Sequence, residues 1–435
     1  MGGAEVSLPS TYLAARKGNI ESELKKEAIE EVEKSQKEAE LQAAALSEKV
    51  EPMTADELAE VLSLTIKSDK ENKVVAFLCM LSAYTENDQI NVSFNSPSAS
   101  GKSYIPLETA KLFPKDKDVK EISYCSPTAF FHDYADYDEE TKLYVVDLER
   151  KILIFLDQPH TLLLQHLRPL LSHDKKELLV KIADRGKKQL TTKNILLRGF
   201  PSVIFCSASS RIDEQEATRF LLLSPEVNQE KLRQSVAERI KRECDRNAYD
   251  IEVETDPKRQ LLKRRIELIK ASHTTEITIP NKEAKTEMIL GLYKSLKPRH
   301  NRDVSRLMIL AKMFALLNFQ QRRTDKPDTL EVKDEDFENA LAIWNKINES
   351  QELGLSPYLL NMFKEVLLPL WEENKIGYGI SKTQMAKKHY EVYGRLISNW
   401  KLEKEIIPAW DTAGLISKET NPEDRREVLI KPVLT

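Results

Sequence analysis

Residues 90–113, INVSFNSPSASGKSYIPLETAKLF, pass from an alternating apolar run through a cluster of small residues into Gly101-Lys102-Ser103, and then into a helical pattern. Backbone N–H groups can wrap phosphate oxygens only where side chains are small. A Lys must also reach the outer phosphates, and a hydroxyl must be offered to magnesium. The loop Ser96, Pro97, Ser98, Ala99, Ser100, Gly101, Lys102, Ser103 supplies each of these. Its one departure is Ser96, which stands where a leading glycine is usual and accepts the turn if its φ stays negative. With a strand before it and a helix after it, the segment reads as a nucleotide-phosphate loop.

A chain of 435 residues, 41% hydrophobic and 31% charged, is long enough for two or three domains and apolar enough to bury a core in each. No apolar run approaches a membrane span, and the opening MGGAEVSLPSTYLAARKG lacks the apolar middle of a signal peptide, so a cytoplasmic protein without a membrane partner is expected. Cys79, Cys125, Cys206 and Cys244 are scattered singly among apolar neighbours and read as four buried thiols rather than a zinc site or disulfide scaffold. The net charge of -4 decides nothing about nucleic acid, because it averages over local patches.

Composition divides the chain. Residues 1–52 are dominated by Glu, Lys and Ala and predict a charged helical arm. From 53 to 225, helical patterns opened by Thr54 and Glu57 as a capping box give way to INVSF, EISYCS, KLYVV, KILIFLD, PSVIFCSA and FLLLS. Near-continuous apolar strands separated by longer connections predict a parallel sheet covered on both faces. Residues 226–352 are helical throughout, the size of a lid. Residues 353–435 read as three helices and two short strands around a turn, the pattern of a winged helix, with Trp371, Trp400 and Trp410 expected in its core.

A nucleotide hydrolase needs a carboxylate at the end of a buried strand to hold magnesium. KILIFLDQPH ends in Asp157 after five apolar residues. The next position, where a Glu commonly orients the attacking water, holds Gln158, and an amide cannot accept a proton as a carboxylate does. Either another group does this work, with His160 and Asp174 nearby in sequence, or Gln158 is a substitution that traps bound ATP.

The order of these elements over residues 88–350 resembles the AAA+ family, and within it the minichromosome-maintenance-type helicases. YVVDLERKILIFLDQPH is similar to the family's short hairpin and magnesium strand, and PSVIFCSAS to its sensor strand, with Ser207 in place of the usual Asn. EATRFLLLSPE resembles the Ser-Arg-Phe segment, which implies that Arg219 is an arginine finger acting on a neighbour's ATP, with Arg211 the weaker candidate. HNRDVSRLMILAKMFALLN resembles the second sensor helix led by Arg302, with Arg306 on the same helix, and LEVKDEDFENALAIW the last lid helix. The resemblance implies an α/β AAA+ P-loop NTPase that binds ATP and Mg2+, the metal through Ser103 and Asp157, and assembles as a hexameric ring.

DRGKKQLTTKNILLRG carries Arg185, Lys187, Lys188, Lys193 and Arg198, with no acid from 185 to 198. The family places a channel-facing hairpin here, which implies sequence-independent phosphate contacts from Lys187, Lys188 and Lys193 to single-stranded or forked DNA. In the C-terminal module, SNWKLEKEIIPAWDTAG is a poor recognition helix, because Lys401 and Lys404 are offset by Glu403 and Glu405 and Pro408 interrupts it. Lys382, Lys387, Lys388, His389, Arg425 and Arg426 make a better basic surface.

The function expected is an ATP-dependent ring helicase or translocase in DNA replication, working with a primase or replication initiator, in the setting of a mobile element. The alternative is a nucleotide-gated DNA-binding switch or loader with slow hydrolysis.

Overall fold

The computed structural model describes residues 36–37, 39–44, 47–126, 129–131, 135–139, 141–184, 191–208, 219–326, 328–373, 379–422 and 424–433. Five parallel strands form the central sheet: β1 (Asn91–Asn95), β2 (Val119–Ile122), β5 (Ile152–Phe155), β8 (Ser202–Ser207) and β9 (Leu221–Leu223), in the order β2-β5-β8-β1-β9. Side chains along a strand alternate between faces. Ile152, Ile154 and Ile204 accordingly enter one core, with the first helices and the lid, while Leu153, Phe155, Val203 and Phe205 enter the other. A sheet buried on both faces needs apolar residues at successive positions, which is why ILIF and SVIFC carry no alternation.

KLYVV was expected to join this sheet. Instead β3 (Asp136–Asp138), β4 (Leu143–Asp147), β6 (Glu177–Asp184) and β7 (Thr191–Arg198) form a second sheet in the order β3-β4-β7-β6. Two of its strands are followed within a few residues by strands of the first: β4 leads through a turn at Glu149-Arg150, where Arg150 has φ +56°, to β5, and β7 leads through a bend at Gly199 to β8. The crossing is held by Leu148 N–H donating to the Arg198 carbonyl at 2.8 Å and Ser202 N–H donating to the Lys151 carbonyl at 3.0 Å. Gly199 has φ +90°, and a Cβ there would lie 2.4 Å from Glu149 Cγ and 2.5 Å from its backbone N. Gly199→Ala is therefore expected to destabilise the protein by about 1–3 kcal/mol, read as a lower denaturant midpoint. An unchanged midpoint would mean that the crossing relaxes freely.

The lid does not form a separate core. Leu262, Ile266, Leu307, Phe314 and Trp344 belong to the same apolar cluster as Val74, Phe77 and Val92 under the sheet. The end of the N-terminal arm closes onto this lid. Met53 N–H donates to Asn318 Oδ1 at 2.7 Å and Arg264 pairs with Glu48 at 2.7 Å, so the last residues of the arm are docked rather than free.

Residues 355–430 have their own core, around Trp410, whose indole N–H donates to the Leu359 carbonyl at 2.9 Å. It consists of three helical stretches and an antiparallel ribbon of Ile416–Thr420 and Val428–Pro432. Two of the helices widen into a π turn, at Phe363–Leu367 and Leu402–Ile406. Each turn lies just before a proline, Pro369 or Pro408, which has no N–H to donate and crowds the carbonyl four residues earlier. Trp371 is half-buried and Trp400 is 64% exposed, so of the three tryptophans only Trp410 fully occupies the core. Among the cysteines, Cys79 and Cys206 are buried, Cys125 is partly so, and Cys244 is exposed. Cys244 ends a helix whose inward face is small, and its polar neighbours Glu243 and Asp245 face solvent with it.

Candidate functional site

The carboxyl ends of β1, β5 and β8 meet at one edge of the sheet, where an open parallel sheet receives its ligand. The phosphate loop leaves β1 there, with Ser96 N–H donating to the Ser207 carbonyl at 3.3 Å. Ser96 is not among the residues with positive φ. Those in the loop are Ala99 at +62° and Gly101 at +91°, so the turn lies three residues beyond the missing glycine.

The loop holds polar groups with nothing to bond. Ser96 Oγ and Ser100 Oγ are buried without a partner, an arrangement that costs free energy unless a ligand completes it. Lys102 makes no ion pair with a described carboxylate, and the Ser103 side chain does not cap the helix Tyr104–Ala110 that follows. The Cys206 thiol gathers the rest. Burial pushes it up to about 12; the Ser103 hydroxyl and the Lys102 cation pull the other way, and Asp157 adds to the rise. The thiol, on β8, donates to the Lys102 carbonyl at 3.5 Å, so it lies against the loop within the influence of Lys102, Ser103 and Asp157. This donor set fits a triphosphate with a hard divalent cation.

Asp157 and Gln158 sit exposed at the end of β5. Gln158 N–H donates to Asp157 Oδ1 at 2.8 Å, and Gln158 Oε1 accepts from the Ser207 hydroxyl at 3.2 Å. The residue in the water-orienting place is therefore tied to the residue in the sensor place. His160 is occupied otherwise: its Nδ1 accepts from Leu162 N–H at 3.2 Å and caps the helix Thr161–Leu171. Beside the loop is a cavity of about 260 Å³ with apolar walls from Ile66, Ile105, Val227 and Leu232. Tyr104 closes part of it, its hydroxyl donating to the Thr65 carbonyl at 2.8 Å.

Arg219 and Arg302 lie elsewhere. They line a second cavity, of about 340 Å³, together with Asn91, Ser172 and Asp174. Arg219 Nε donates to Ser172 Oγ at 2.9 Å. Asn91 opens β1, and Arg219 lies two residues before Leu221, which pairs with Val92, so this cavity is at the amino ends of the strands. A five-residue strand separates the two cavities by roughly 16 Å. Within one chain, Arg219 and Arg302 cannot reach a phosphate held by Lys102, and Asp174 is as remote.

Of the basic hairpin, Lys193 stands on β7 with its ammonium 4.6 Å from the centre of the Tyr144 ring. Lys187 and Lys188, with Arg185 and Arg211, lie outside the described residues. Two residues beside the loop escaped the sequence: Arg395 and Lys401, from the C-terminal module. Arg395 Nη1 donates to the Ser98 carbonyl at 2.7 Å. No local signal marks either, because their placement depends on how two cores dock.

No protein-family model matches this chain. No curated protein matches either. Among solved structures, a full-length MCM homolog from Methanopyrus kandleri is similar at 15% identity, covering 70% of this chain and 63% of that one, with a TM-score of 0.39. The chain thus spans less than two thirds of that protein. A putative ATPase from Cytophaga hutchinsonii aligns at 12% identity over 75% of this chain and 96% of that one, TM-score 0.37. The C-terminal region of NrS-1 aligns at 10% identity over 89% and 78%, TM-score 0.25. All three fall below a TM-score of 0.5. No helix among the described residues is long and apolar enough to cross a membrane.

Proposed function

We propose that the chain is an AAA+ ATPase that works between copies of itself in a ring, a hexamer by the family's pattern, and moves along or unwinds DNA in replication. The observation that carries this is the division of the site. Lys102, Ser103 and Asp157 stand at the carboxyl edge of the sheet, and Arg219 and Arg302 at the amino edge, so a complete site requires a second chain.

In this reading Lys102 holds the outer phosphates and the loop's N–H groups the inner ones, while Ser96 and Ser100 complete their hydrogen bonding on the same ligand. Ser103 and Asp157 would hold Mg2+, which would neutralise charge on the transferred phosphoryl group. Ile66, Ile105, Val227 and Leu232 form apolar walls for the base. Arg219 of a neighbouring copy contributes a guanidinium, and Ser207 orients Gln158. Lys193 and the adjoining Lys187 and Lys188 track a single strand or fork by its phosphates, with Tyr144 beside Lys193 as an aromatic surface. The module over 353–435 is read as a winged helix, the setting as a mobile element with a primase or initiator as partner, and the compartment as cytoplasmic.

Lys102→Ala is expected to weaken ATP binding about 10- to 100-fold, since a charge-assisted contact is lost from a loop otherwise intact. Titration calorimetry with MgATP reads this directly, and an affinity equal to the parent's would remove the loop from consideration. Gln158 favours one other reading, a nucleotide-gated DNA-binding switch or loader with weak hydrolysis. Steady-state ATPase activity with and without single-stranded DNA separates the two, because a motor is stimulated by its track.

A further inference from the structure

A closed path of hydrogen bonds links the phosphate loop to the C-terminal module. The carbonyl of Asn95, the last residue of β1, accepts from Ser224 Oγ at 2.5 Å, and that oxygen accepts from Tyr358 N–H at 3.1 Å. The Tyr358 hydroxyl is 2.9 Å from His389 Nε2, and His389 Nδ1 is 2.8 Å from the Arg395 carbonyl. A carbonyl can only accept, so Nδ1 carries the proton and Nε2 accepts from Tyr358, a tautomer assigned from these partners. The Arg395 side chain then returns to the Ser98 carbonyl inside the loop. The Arg395 backbone is thereby held by a buried histidine, while its exposed side chain is tied to the loop.

Lys401 stands beside it. The Ser398 hydroxyl accepts from Lys401 N–H at 3.2 Å and fixes the first turn of this helix. Burial pushes the Lys401 ammonium down; Glu405, 3.9 Å away, opposes this, while the Arg395 and Lys102 cations push it further down. Arg395 thus reaches the loop that carries Lys102, with Lys401 close enough to feel both charges. Lys102 and Arg395 make no ion pair with a described carboxylate, and the Arg395 guanidinium makes no hydrogen bond among the described residues beyond that to Ser98. Like charges drawn together with so little compensation form a site for a polyanion.

We propose that the C-terminal module closes the nucleotide site of its own chain, with Arg395 and Lys401 as further ligands of the phosphates. The inference rests on the loop binding a nucleotide as proposed above. It assigns the module's contact face a role distinct from DNA binding, and makes nucleotide occupancy and module docking mutually reinforcing.

Affinities for MgATP and for adenosine are to be measured by calorimetry on the full chain and on Arg395→Ala, Lys401→Ala and Lys102→Ala. Arg395 is exposed, so its truncation leaves the core in place. The expected result is about a tenfold to hundredfold loss of MgATP affinity in both Arg395→Ala and Lys401→Ala, partial recovery in Arg395→Lys, and unchanged adenosine affinity. If Lys102→Ala loses MgATP while the other two bind as the parent does, the proposal fails and the loop stands. If Arg395→Ala binds more tightly, the Ser98 contact is a block rather than a ligand, and the proposal also fails. If Lys102→Ala binds as the parent does, the nucleotide reading itself falls.

Discussion

Gln158→Glu is expected to raise ATP turnover about 10²- to 10⁴-fold, the usual contribution of a positioned base, and to leave MgATP affinity unchanged. The geometry supports so large an effect from one atom. The Gln158 side chain already accepts from the Ser207 hydroxyl at 3.2 Å at the end of β5, beside Asp157. A glutamate is the same size and accepts the same bond, so the substitution changes the chemistry of the group and not its position. Turnover is to be read with and without single-stranded DNA, with oligomer size followed by light scattering in the presence of ATP. A parent enzyme that already turns over rapidly, and a Glu variant no faster, would show that another group serves as the base and that Gln158 is only a spacer.

The second large effect concerns Arg219. In a turnover-competent background, Arg219→Ala is expected to cost about 10³-fold or more in turnover, in line with the loss of an arginine finger. Binding of ATP to the altered chain should be untouched, because Arg219 lies at the far edge of the sheet from Lys102. The sharper measurement mixes two inactive chains, Arg219→Ala and Lys102→Ala. A junction that takes Lys102 from the first and Arg219 from the second is whole, so the mixture should recover part of the activity that neither has alone. A mixture that co-assembles and yet remains inactive would exclude a shared site. Recovery proportional to mixed junctions would support it.

What could be read from the sequence, and what could not, follows from the range of each interaction. The phosphate loop and Asp157 were legible because small residues, a lysine and a lone acid after ILIF are local patterns. The parallel sheet was legible because burial on both faces removes alternation. Of the second sheet, the hairpin ending in KNILL was legible from its alternation, but its pairing with KLYVV was not, since KLYVV is as apolar as strands of the first sheet and nothing local says which sheet a strand joins. Trp400 and Cys244 were misread from residue type alone: each is flanked by polar residues, Asn399 and Lys401 or Glu243 and Asp245, and faces solvent with them. The approach of Arg395 to the loop, with Lys401 six residues further on, could not be seen from sequence. Both residues lie almost 300 positions from that loop, and the link depends on Ser224, Tyr358 and His389 each meeting one partner.

The continuity of β7 with β8 has a mechanical meaning. Lys193 and Ser207 stand on consecutive strands joined by the bend at Gly199, at most about 46 Å apart along the chain. Gly199 is packed against Glu149 between them, and β4 and β5, joined by their own turn, run alongside toward Asp157. The glycine between the two strands is the place at which a displacement of Ser207 would be passed on to Lys193 as a rotation, since a residue without a Cβ can change its backbone angles there with the least strain.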